Sequence, residues 1–269
     1  MGFRVVDANP QVVWVPVDNA DTLYQGQIVK AGGDGVVPFG AASGAADTSN
    51  KGVPMGVVIG VNAKSPTFNS TYKGLSITAV ASQANQLARD WFGAEGMYSK
   101  GDPQALVRVA LIGPNTLLEG PIFNAAYGTA ISAKTETTGS ADGLTVTLAT
   151  TASADFTPVA DLCTLYCRTG ANMGLYRVTD STSKTSLAVD VAFPYDIAIA
   201  DTFVYVPLRP FGVSYVQFDA ESTYIEGGTS ASLATNYHIV DVIRLNLAES
   251  GKETAIFKFN ADHFCKARA

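Results

Sequence analysis

Apolar residues recur along this chain in short runs, many with every second position apolar, and Gly, Pro, Asn or Asp closes most of them. The clearest runs cover 11–17, 26–30, 53–61, 75–80, 105–112 and 144–148, then 162–168, 174–179, 187–193, 202–208, 213–218, 237–247 and 254–259. Alternation with period two predicts strands with one buried face, because successive side chains point to opposite sides of a sheet. The stretch Gly32-Gly33-Asp34-Gly35 could cradle a phosphate only with a helix N-terminus behind it. Val36-Val37-Pro38-Phe39 follows instead, so the stretch predicts a hairpin turn. One short helix is expected over 83–92, where Leu87 and Trp91 lie one turn apart and Gly93 and Gly96 stop the run.

Strands at this spacing predict an all-β fold of sandwich or barrel type. After Phe123 the composition shifts toward Thr, Ser, Ala and Gly, most densely over 128–155. The expected organisation is an N-terminal arm (1–10), a β-sandwich or barrel-like domain (11–124), an inserted small β-barrel (125–210), and a C-terminal β-hairpin and tail (211–269). The hairpin is expected to return to the first domain.

Composition narrows the function. Of the 269 residues 47% are hydrophobic and only 16% charged, against a usual charged share of roughly 25%. A chain this apolar and this weakly charged supports cores and does not read as disordered. Gly, Ala, Ser and Thr replace the missing charges, which suits a surface that packs against neighbours. The net charge is −6 with no Lys/Arg stripe, so the electrostatic footprint of a nucleic-acid binder is absent from the sequence. The tail departs from this, with Lys252, Lys258, Lys266 and Arg268 outnumbering Glu253 and Asp262. Such an asymmetry can steer assembly. No apolar run has the length of a membrane helix, and the N-terminus lacks a signal-peptide core, so neither membrane nor export is expected.

Candidate chemistry is sparse. Cys163, Cys167 and His263-x-Cys265 are four soft ligands, the number a structural zinc takes. On a strand, however, Cys163 and Cys167 sit two pleats apart, about 13 Å, and the expected state is buried thiols without metal or cofactor. The histidines, His238 and His263, give a Ser/His/Asp triad little to draw on, and no Gly-x-Ser-x-Gly elbow occurs. Among many carboxylates nothing singles out a glycosidase pair. The chain is expected not to be an enzyme. Aromatics are the remaining signal: Tyr195, Tyr215, Tyr224 and Tyr237 are expected mostly to pack in the core, while Trp91 and Phe92, beside glycines and not inside a strand, suit stacking on sugars or anchoring in a neighbouring subunit.

Four segments in succession carry a resemblance: Tyr24-x-Gly26-Gln27-Ile28-Val29, Gly35-Val36-Val37-Pro38, Gly52-Val53-Pro54-Met55-Gly56-Val57, and Gly74 to Val80. This order resembles the decoration, or cement, proteins of tailed-bacteriophage capsids. Residues 172–179 through 200–206 are similar to small β-barrels carried by phage virion proteins. The resemblance covers about half the chain and rests mainly on turn glycines and apolar strands. It implies a virion structural protein, made in the host cytoplasm and seated on the outer face of the capsid as a homo-oligomer. Its partners would be the major capsid protein and copies of itself, with no nucleic acid and no membrane. Residues 1–20 and the basic tail are the expected docking arms, with Phe3, Arg4, Trp14, Trp91, Phe92, Lys258, Lys266 and Arg268 as interface candidates. The alternatives are a glycan- or receptor-binding appendage and, third, a hydrolase.

Overall fold

The structure is a computed structural model. It describes residues 2–6, 9–18, 21–32, 35–39, 53–62, 67–69, 74–78, 106–122, 134–135, 143–149, 163–181, 185–218, 225–227, 238–261 and 264. The helix expected over 83–92 lies outside them. The fold is all-β, and the named elements are twenty strands. The chain divides into two compact units: residues 1–120, 218–224 and 258–269 form the first, and residues 121–217 and 225–257 the second. The division read from composition places its boundaries elsewhere, at 124 and 210.

The centre of the first unit is a five-stranded sheet. Its strands are β2 (Val12–Pro16), β4 (Ile28–Ala31), β5 (Val36–Pro38), β6 (Pro54–Asn62) and β9 (Leu106–Leu111), in the order β2-β9-β6-β4-β5. Strands β4 and β5 pair antiparallel around the Gly-rich turn, which the Gly32 N–H to Gly35 carbonyl bond closes. The two outer strands then meet, because Val17, one residue beyond β2, forms a parallel bridge with Val36 of β5. The sheet therefore curls toward closure, its two outer strands touching at this bridge, around an apolar interior. Val17, Val29, Val36, Val58, Val107 and Val109 fill that interior, with Leu23 of β3 (Thr22–Tyr24). β-Branched valine dominates because it packs well on a pleated, buried surface. A small sheet of β3, β7 (Thr67–Asn69) and β8 (Gly74–Thr78), ordered β3-β8-β7, completes this part.

The chain start belongs to the same unit. The Phe3 N–H donates to the Gly26 carbonyl, and the Val6 N–H to the Leu117 carbonyl. Between them β1 (Arg4–Val5) pairs with β10 (Leu118–Pro121). Residues 2–6, read from sequence as part of an arm, are thus woven into the unit. Phe3 and Phe39 both stack edge-to-face on Phe218, and Phe39 and Phe218 both meet Phe259, with ring centroids 5.3 to 5.6 Å apart. Pairs of this geometry add about 0.5–1.5 kcal/mol each beyond burial.

The second unit carries a six-stranded sheet in the order β11-β16-β13-β14-β15-β12. Its strands are β11 (Lys134–Thr135), β12 (Thr145–Thr147), β13 (Thr164–Cys167), β14 (Gly174–Ser181), β15 (Ser186–Val189) and β16 (Thr202–Val206). Cys163, Leu165 and Cys167 share one face of β13 and join Val146, Val178, Leu187, Phe203 and Tyr205 in its core. A further sheet has the order β1-β10-β20-β19-β17-β18, adding β17 (Gly212–Phe218), β18 (Ile225–Gly227), β19 (His238–Asn246) and β20 (Thr254–Phe259). On β20 the alternation is complete: Ala255, Phe257 and Phe259 are buried and the residues between them half-buried.

Candidate functional site

The second unit displays apolar side chains on tightly held loops. In the segment between β15 and β16, every second residue alternates in direction. Phe193 and Ile197 are buried, while Val191, Tyr195 and Ile199 are 61%, 62% and 71% exposed. Phe193 stacks on Tyr176 at 4.3 Å and on Phe203 at 6.1 Å, fixing the inward side.

Two buried polar side chains hold the outward side. Asn172 accepts from the Tyr195 N–H at 3.0 Å and donates to the Tyr195 carbonyl at 2.9 Å, while the Tyr176 hydroxyl donates to the Asn172 carbonyl. The Asp201 carboxylate accepts from the Ala198 N–H, and its own N–H returns to the Ala198 carbonyl. This turn places Ala200 at φ 79°, beside the most exposed residue of the loop, Ile199. On the neighbouring turn Gly170 has φ +82° and packs its α-carbon against Asp201, where a β-carbon would come within 2.4 Å of Oδ1. Met173, next to Asn172, is also exposed. Exposed Asp190 and Asp196 border this patch, with half-buried Arg177 donating its backbone N–H to Asp190.

A second apolar projection lies at the turn entering β17. Phe211 is 88% exposed and has φ 57°. The left-handed region costs an L-residue about 1–2 kcal/mol, and so exposed a ring recovers little by burial. Its surroundings impose the conformation: the Phe211 N–H donates to the Val242 carbonyl at 2.8 Å and the Arg209 N–H to Ser214 Oγ at 2.9 Å. Thr164 Oγ1 donates to the carbonyl of buried Leu208 just before the turn. The Arg209 side chain lies over the α-carbon of Gly212. Val213, exposed, sits opposite half-buried Asp241 on β19, and exposed Arg244 follows on that strand.

An ion pair fastens this unit internally. Arg168 donates through Nε to the Leu247 carbonyl and through Nη2 to Glu253, whose side chain is 1% exposed. Cys163 and Cys167 are buried and not joined in a disulfide. Burial pushes Cys167 up to about 11, against the lowering effect of a backbone hydrogen bond from Thr169 and with a smaller upward push from Asp201. A thiol held neutral in this way is inert as nucleophile or ligand at neutral pH. Among the described residues no group of three or more His, Cys, Asp or Glu could hold a metal ion.

The interface candidates read from sequence fall as follows. Phe3 is buried, its ring taken up by the phenylalanine cluster. Arg4 is exposed and pairs with Glu119 across β1 and β10. Trp14 is partly exposed on β2, opposite exposed Arg108. Lys258 is half-buried on β20. Trp91, Phe92, Lys266 and Arg268 lie outside the described residues, as do Cys265 and His263 of the soft-ligand set. Of the aromatics read from sequence Tyr195 is well exposed, and the side chains of Tyr215, Tyr224 and Tyr237 lie outside those described; the sequence reading does not include Phe211, Val191, Ile199 or Met173. The available signal for Phe211 was its place between Pro210 and Gly212, where a large aromatic is unusual.

No protein-family model matches the chain, and neither the curated proteins nor the solved structures hold a significant match.

Proposed function

We propose that this chain is a non-enzymatic structural protein of a virus particle, a decoration protein that binds the assembled capsid shell of a tailed bacteriophage. The observation that carries the reading is the rigid display of large apolar side chains by the second unit, with Phe211 held outward at a conformational cost. Exposed apolar clusters on tightly bonded turns mark surfaces that work by being covered. The sequence resemblance to capsid cement proteins supplies the kind of partner, the shell protein and further copies of this chain. A protein that binds only the assembled shell stabilises it by mass action.

The glycan-binding alternative draws on exposed Tyr195 beside Asp196. The neighbours Val191, Ile199 and Met173 are aliphatic, however, and favour a protein surface over a sugar ring.

Pelleting purified chain with and without assembled, undecorated shells tests the proposal. Saturable recovery in the pellet, with a raised melting temperature of the shells, is expected. Recovery in the supernatant at every ratio would sink it.

A further inference from the structure

We draw no further inference here: the strongest candidate, the exposed apolar turn at Phe211 together with the apolar loop over 191–199 between β15 and β16, belongs to the surface already described, and nothing in the structure shows what covers it.

Discussion

Replacing Glu253 by alanine tests how the second unit is held together. The carboxylate is 1% exposed and the Arg168 side chain 7%. Arg168 sits just after β13, its backbone N–H bonded to the Thr202 carbonyl, while Nε reaches the Leu247 carbonyl at the end of β19. The guanidinium therefore ties the six-stranded sheet to the turn between β19 and β20, and Glu253 neutralises it there. Removing the carboxylate leaves a buried, uncompensated cation, a change that typically costs about 3–5 kcal/mol. For a protein of this size that is roughly 10 °C in the thermal midpoint. Arg168 Nη1 finds no hydrogen-bond acceptor, so the pair is incompletely satisfied. The double replacement Arg168→Met with Glu253→Leu is accordingly expected to recover most of the loss, because an apolar pair of similar volume escapes the desolvation cost. Urea denaturation followed by circular dichroism measures both variants. The neighbouring exposed pair of Lys252 and Glu249 is the control, and Lys252→Ala is expected to leave the midpoint unchanged. A loss below about 1 kcal/mol for Glu253→Ala, the range of surface pairs, would refute the argument.

Two further outcomes follow from the same unit. Gly170→Ala combines a left-handed φ with a β-carbon 2.4 Å from Asp201 Oδ1, and is expected to cost about 2 kcal/mol or more by the same denaturation assay; a neutral result would mean that the turn rearranges freely. Cys167, held neutral up to about 11 against an ordinary 9.0, contributes stability that is fully present below pH 9 and lost as pH rises through 11. In a Cys265→Ser background neither remaining thiol is expected to react with a disulfide reagent at pH 8 until the chain unfolds, and fast labelling of the folded protein would contradict the burial.

Sequence pattern revealed those strands that are long enough to show a period. Thr254–Phe259 alternates through three buried residues, and Leu106–Leu111 carries a run of β-branched and apolar side chains, so both are readable locally. Arg4–Val5, Thr22–Tyr24 and Leu118–Pro121 escaped because two to four residues hold no period; the pairing partner creates them. The curling of the first sheet was equally hidden, since Val17 meets Val36 only after three other strands have intervened. For the same reason Phe3 looked like a surface candidate: Phe218, on which its ring stacks, and Gly120, against which it packs, are far away in sequence. The buried state of Cys163 and Cys167 was legible, because their spacing places both on one face with Leu165. The exposure of Phe211 was not, since the positive φ falls on the phenylalanine and not on the adjacent Gly212, and only the bond to Val242 decides that.

The central claim, that this chain works by being bound on an assembled shell, is tested most directly by single-particle reconstruction of shells incubated with the purified protein. The expected result is density for the all-β units at symmetry-related sites on the outer surface, with the apolar loops of the second unit turned toward protein neighbours. A shell surface identical with and without the protein, at concentrations that saturate pelleting controls, would contradict it.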